Sequence, residues 1–202
     1  MKNNIDRSGA NVVRLLRFLI INIGIMEKEK TLAWVKDPRH MLDEKDELQL
    51  FQLEMREVMF EYLQHHSLSP ENQPYLFEPE NEDVLDFFIH HWVLNAALEA
   101  KLFTVEYRHY LRAYIERGCL HDADNEMLLF TAVGITKFRR MYIERHGFHN
   151  RNAEAQLFAP EYETDLRIYV EHKHILFSDF VDILKAEHPE LYAQYQKYCP
   201  QN

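Results

Sequence analysis

The scarcity of glycine is the feature that most restricts the fold of this chain. The 202 residues include only 5 glycines and 7 prolines. Sheet-rich domains need many tight turns, and several turn types need glycine. No segment shows sustained alternation of apolar and polar residues, whereas apolar residues recur at helical spacing through most of the chain. The sequence therefore predicts an all-α protein, a single bundle of about seven or eight helices.

Two apolar segments define the expected bundle. A central helix is predicted near residues 82–101, because its apolar residues cover most of the helix circumference. An N-terminal helical pair is expected to pack on it. Its first helix runs from about residue 10 to residue 35, and its second is capped by Asp43 and continues through Tyr62.

Later boundaries follow from capping residues and prolines. Thr104 is a candidate cap for the next helix, and Asp122 or Asp124 begins the one after it. Pro160 and Pro189 open two further helices near the C-terminus, since proline suits the first helical turn. We find no internal repeat at solenoid spacing and no low-complexity tract.

Three prolines between residues 67 and 80 indicate a linker, because a residue before proline is pushed out of the helical region. We therefore expect an N-terminal helical pair or arm at 1–66 and a helical core at 81–202. One continuous domain is the alternative.

The lack of a disulfide pattern and of a convincing export signal favours a cytoplasmic protein, and the charge restricts its partners. The formal net charge is −10, which disfavours general binding to nucleic-acid phosphates. Cys119 and Cys199 lack CxxC spacing, as expected of free thiols in a reducing compartment. The apolar run 18–26 is shorter than a membrane span and is flanked by charges. We expect it to be a buried helix; an interface or a membrane contact is the alternative, and membrane association is not favoured.

Recognisable enzyme motifs are missing, so the sequence favours a protein that is not an enzyme and needs no cofactor. It contains no GxSxG, no phosphate-binding glycine loop and no HExxH. Glu106 and His109 form the one Glu-x-x-His element at metal-ligand spacing. Di-metal bundles need two such elements. We therefore expect no metal and keep these two residues as weak candidates.

A basic stretch near residue 145 is a candidate binding patch in an otherwise acidic chain. Basic and aromatic residues together are typical of single-stranded RNA binding, and also of a cationic helix end or an acid-binding surface. The patch comprises Lys137, Arg139, Arg140, Arg145 and Arg151.

Arg167 and His172 are separated by four residues on a predicted helix, and this spacing resembles the active-site motif of the HEPN ribonucleases. The resemblance implies an all-helical, metal-independent ribonuclease. His172 would move the 2′-hydroxyl proton, and Arg167 would stabilise the charge on the phosphate. The family usually has a polar residue after the arginine, whereas Ile168 stands here.

The leading expectation is a non-catalytic interaction protein that acts as a regulator, an adaptor or an inhibitor. The chain is rich in phenylalanine and tyrosine, and aromatic side chains often anchor interfaces. The N-terminal pair is also more apolar than a surface arm requires. We therefore expect a protein partner, or a second copy of the chain, to bind through residues 10–63.

Overall fold

The computed structural model describes residues 28–118 and 120–199, and all regular structure in these ranges is helical. The all-α prediction is confirmed, with twelve α-helices in place of seven or eight. The α-helices cover residues 28–35, Glu44–Gln49, Arg56–Leu63, Glu82–His91, Ala96–Lys101, Arg108–Arg117, Leu128–Thr131, Thr136–Arg145, Arg151–Gln156, Glu163–Glu171, Ser178–Glu187 and Pro189–Tyr195. Short 3₁₀ helices lie at Leu53–Met55, Gln73–Phe77, Pro79–Asn81, Ala123–Met127 and Pro160–Tyr162.

The described chain forms two compact parts, one ending at Phe88 and one beginning at Ile89. We refer to them as the N-terminal part and the C-terminal part. The expected linker at 67–80 contains the buried residues Leu76 and Phe77. The division at 1–66, 67–80 and 81–202 stays a prediction.

The predicted central helix at 82–101 is two helices, so this prediction was wrong. Glu82–His91 ends before Trp92, and a new helix begins at Ala96. The Asn95 side chain accepts a hydrogen bond from the Leu98 amide at 3.1 Å and so caps the second helix. The apolar pattern continues through the interruption, which is why periodicity alone missed it.

The predicted second helix of the N-terminal pair is also interrupted. It consists of Glu44–Gln49 and Arg56–Leu63, with the 3₁₀ turn Leu53–Met55 before the second helix. The expected cap is confirmed, because the Asp43 carboxylate accepts a hydrogen bond from the Asp46 amide at 2.8 Å.

The structure confirms two of the other predicted helix boundaries and contradicts another. Asp122 caps the turn that starts at Ala123, and Pro189 begins a helix as expected. Thr104 caps nothing: its hydroxyl donates to the Lys101 carbonyl, and the next helix begins at Arg108.

The short helices pair into six similar units, so the expectation of no internal repeat was wrong. Units 1 to 5 have a short first helix or 3₁₀ turn and then a second helix, whereas in unit 6 the first helix, Ser178–Glu187, is the longer. Units 1 to 6 start 26 to 28 residues apart, at Asp43, Ser69, Asn95, Asp122, Asn150 and Ser178. In units 1, 3, 4 and 5 the starting side chain caps the first helix.

Units 3 to 6 stack in chain order within the C-terminal part. The second helix of each unit contacts the second helix of the next, from Arg108–Arg117 through to Pro189–Tyr195. The first segments of units 3, 4 and 5 contact one another in the same order. Such nearest-neighbour packing is the pattern of solenoid repeat proteins.

Part of the N-terminal prediction lies outside the described residues. The helix expected at 10–35 is described only from residue 28, and the apolar run 18–26 is not described. Within the ranges 28–118 and 120–199, none of the helices has both the length and the hydrophobicity that crossing a membrane requires.

We predict that Asn95→Ala lowers the free energy of unfolding by about 1 kcal/mol, because the Leu98 amide loses its capping acceptor. Urea unfolding followed by circular dichroism measures the change. Asn152→Ala is the matched control, since Asn152 is an exposed residue inside a first helix. An equal effect of the two substitutions would contradict the capping role.

Candidate functional site

The most unusual groups of the structure are carboxylates buried at one repeated position. The residue four places after the start of units 1 to 5 is Glu47, Gln73, Glu99, Glu126 and Glu154 in turn. All five are buried, and Glu99, Glu126 and Glu154 have no exposed surface. A buried carboxylate is unfavourable unless several donors surround it. The hydrogen-bond partners of these side chains therefore show the structural role of the repeated position.

Glu99 joins the two helices of unit 3 to the start of unit 4. It accepts hydrogen bonds from the Tyr114 hydroxyl at 2.9 Å and from the His121 and Asp122 amides at 2.7 and 3.2 Å. The Asn125 side-chain amide donates a fourth bond at 2.9 Å. We call this arrangement of a carboxylate, a tyrosine of its own unit and amides of the next unit a clamp.

Units 1 and 4 contain the same clamp. Glu47 accepts bonds from the Tyr62 hydroxyl at 2.9 Å, from the amide and hydroxyl of Ser69 and from the Asn72 side chain. In unit 4, Glu126 accepts bonds from Tyr142 at 2.8 Å, from His149 and from the Asn150 amide at 2.7 Å. Glu47 thus has four donor groups, as in unit 3, and Glu126 has three, with the His149 Nδ1 atom at 3.2 Å beside them.

The tyrosine hydroxyls complete the clamps by accepting hydrogen bonds from backbone amides near the start of their own units. Leu94 donates to Tyr114, Phe148 donates to Tyr169, and Leu176 donates to Tyr195, at 3.2 to 3.3 Å. Burial, together with the facing carboxylates, raises the pKa of Tyr114 and Tyr169. These hydroxyls therefore stay protonated and serve as donors to the carboxylates.

Unit 2 replaces both members of the clamp with uncharged residues. Gln73 stands at the carboxylate position and the fully buried Phe88 at the tyrosine position. The Gln73 side-chain amide donates to the Leu68 carbonyl at 3.3 Å. The carboxylate and the hydroxyl are lost together, as expected if each needs the other as its partner.

A second bond between units comes from histidine. The Nε2 atoms of His146 and His174 lie 2.8 and 2.6 Å from the carbonyl oxygens of Ile115 and Ile143, each in the preceding unit. Burial lowers the pKa of His174, which favours the neutral ring that makes this contact. Two of the twelve histidines thus have structural roles.

Two arginines of the predicted basic patch are structural. Arg139 is buried; its Nε atom lies 2.6 Å from Asp165, and its guanidinium stacks over Tyr162. Arg140 also binds Asp165, at 3.0 Å, so two cations flank one buried carboxylate. Arg139 is therefore not part of an exposed surface.

Arg140 is itself exposed, as are the other three patch residues, Lys137, Arg145 and Arg151. Arg151 pairs with Asp179, which raises the pKa of the guanidinium. The structure thus separates the predicted patch into two arginines bound to Asp165, one arginine bound to Asp179, and two exposed cations.

Arg167 and His172 lie at the surface at opposite ends of one helical turn. Arg167 is 3.7 Å from Glu163 on the same helix, and His172 caps the helix just after Glu171. Both residues occupy repeated positions. Arg167 stands two residues before its clamp tyrosine, and Arg112 and Arg140 stand at the same place in units 3 and 4.

Glu106 and His109 are not on one helix, so the premise of that metal candidate was wrong. Glu106 lies in the turn before Arg108–Arg117, and only His109 is helical. The His109 ring lies beside Tyr110, with 3.9 Å between ring centroids. Within the described ranges, no three His, Cys, Asp or Glu side chains are grouped to hold a metal ion.

The clamp residues are inconspicuous in the sequence, because each is a single polar or aromatic residue within a helical pattern. The available signal was a glutamate or glutamine four residues after Asp, Asn or Ser, with a tyrosine or phenylalanine 15 or 16 residues later. The carboxylates are buried and bound to donors of the chain itself, which gives them a structural role.

We predict that Tyr114→Phe lowers the free energy of unfolding by about 1–3 kcal/mol, because Glu99 and the Leu94 amide both lose a partner. The double variant Glu99→Gln/Tyr114→Phe copies unit 2. It should be less destabilised than the two single changes added together, by about 1 kcal/mol. Urea unfolding of all four proteins measures this coupling. Simple additivity would show that the clamp is not a unit.

Comparison of the chain with protein-family models, with curated proteins and with solved structures finds no match.

Proposed function

We propose that this chain is a non-catalytic interaction protein whose helical units form a scaffold for binding another protein. The observation that carries the proposal is the repeated clamp, because its buried carboxylates and tyrosines form hydrogen bonds that hold one unit to the next. Stacked helical repeats offer extended surfaces, and proteins with this architecture commonly use them for binding.

Exposed apolar residues in the N-terminal part support a contact surface within residues 10–63. Met41 and Leu53 are 69% and 79% exposed, and the large indole of Trp34 is 39% exposed. Contiguous exposed apolar surface is typical of protein-binding sites, and these three residues lie within 20 positions of one another in the chain. We propose that a partner protein or a second copy of the chain binds there.

The C-terminal part has a competing surface at an equivalent place. Val105 and Val133 are 83% and 86% exposed, and both lie in the turn between the two helices of their unit, as Leu53 does. The two pairs of residues therefore allow a matched comparison of one surface with the other.

We expect Met41→Ser/Leu53→Ser to reduce binding at least tenfold, because the partner loses two apolar contacts. Val105→Ser/Val133→Ser is the matched control and should leave binding unchanged. Sedimentation equilibrium at high micromolar concentration measures self-association, and titration calorimetry with a purified partner measures hetero-association. Because all four side chains are exposed, both variants should keep the unfolding midpoint of the parent.

Loss of binding in Val105→Ser/Val133→Ser alone would place the binding surface in units 3 and 4. Unchanged binding in both variants would contradict an apolar contact at either place. A chain that stays monomeric and captures no protein at stoichiometric level would contradict the interaction proposal itself.

The ribonuclease hypothesis has a direct test of its own. It predicts RNA cleavage in the presence of a metal chelator, and loss of that cleavage in His172→Ala. Under the interaction proposal the parent chain cleaves no RNA, and His172→Ala behaves like the parent. Cleavage that persists equally in His172→Ala would point to a contaminating nuclease.

A further inference from the structure

The clamp of unit 5 is built differently from the other three carboxylate clamps. Among the described residues, Glu154 accepts hydrogen bonds from two donors, the Tyr169 hydroxyl and the Phe177 amide, each at 2.8 Å. Glu47 and Glu99 each have four donors, and Glu126 has three together with a contact to the His149 ring. Glu154 is nonetheless fully buried, so fewer donors face its carboxylate than face any of the other three.

The missing donors can be traced to particular residues of unit 6. In the other clamps, side chains that contact the carboxylate stand at three places near the start of the next unit. His149 stands one residue before a start, Ser69 is a start, and Asn125 stands three residues after one. In unit 6 the corresponding residues are Phe177, Ser178 and Val181; two are apolar, and Ser178 is exposed.

The charges that face Glu154 also oppose its ionisation. Asp179 of unit 6 and Glu126 of unit 4 are both acidic neighbours, and the cation Arg151 is paired with Asp179. Tyr169 is a neutral donor. Burial is the largest cause that raises the pKa of Glu154, to about 7.

We propose that the Glu154 clamp is a proton-dependent joint between units 5 and 6, closed firmly when the carboxyl is protonated and loosened when it ionises. A protonated carboxyl still accepts the Phe177 amide and needs no charge compensation. The ionised form must keep a charge in the core with two donors. The strength of the contact between units 5 and 6 therefore changes between the ordinary pKa of a glutamate and about 7, from mildly acid to neutral pH.

The sign of the effect follows from linkage. In an unfolded or opened chain the carboxyl has its ordinary pKa of 4.5, whereas in the folded chain the pKa is about 7. The folded chain thus binds this proton more tightly, and the stability from this group is present at acid pH and lost as the pH rises through about 7. The equilibrium constant for opening unit 6 should rise on the order of 50-fold between pH 5 and pH 8.

Two measurements on the full chain test the proposal. The ¹³C chemical shift of the Glu154 side-chain carboxyl should report a transition near pH 7. Hydrogen exchange of the Phe177 and Leu176 amides, corrected for the intrinsic rate, should show opening that increases from pH 5 to pH 8. In Glu154→Gln, an uncharged residue that unit 2 already carries at this position, the opening should no longer depend on pH.

Glu99→Gln is the matched control: it removes a carboxylate that has four donors and should leave the pH dependence at Phe177 intact. A Glu154 transition in the range of an ordinary glutamate would overturn the proposal. So would an unchanged pH dependence in Glu154→Gln. Because the ¹³C titration uses the parent chain, the proposal can be refuted even if a variant fails to fold. Neither result bears on partner binding, so this inference and the interaction proposal can fail separately.

Discussion

The fold depends on one interaction, the buried carboxylate that a tyrosine and the backbone of the following unit satisfy together. Removing a glutamate side chain from water is costly, and only convergent donors offset that cost. In unit 3 the donors come from the second helix and from the first residues of unit 4. The carboxylate is therefore satisfied only when the two units are in register, which makes a polar group specify the stacking of apolar helices.

This requirement explains the constant spacing of the chain. The carboxylate must lie one turn into the first helix, and the tyrosine must reach it from the second helix, which places the tyrosine 15 or 16 positions after the carboxylate. The turn joining the two helices can vary while this distance is kept. Pro160 stands there in unit 5, and the exposed Val105 and Val133 stand there in units 3 and 4.

Much of the local structure could be predicted, whereas the arrangement could not. The helical class, the Asp43 and Asp122 caps and the Pro189 helix start follow from composition and capping chemistry, which act within a few residues. The breaks inside 43–62 and 82–101 were missed because apolar residues keep helical spacing across them, and Asn95 alone marks the second. The repeat was missed because its markers are single polar residues. Their shared role becomes visible only when long-range hydrogen bonds are known.

Two of the candidate arginines, Arg139 and Arg167, have structural explanations. Arg139 was read as a basic surface residue, but burial beside Asp165 makes it structural. Arg167 shares its repeated position with Arg112 and Arg140, which supplies a reason for its presence other than catalysis.

The most direct test of the clamp is the hydrogen exchange of the backbone amides that donate to the carboxylates. The amides of Ser69, His121 and Asn150 lie at the starts of units and outside regular helical hydrogen bonding. If the clamps hold the units together, these amides exchange as slowly as amides inside the second helices. Exchange at the rate of exposed turns, while the helices remain protected, would contradict the account.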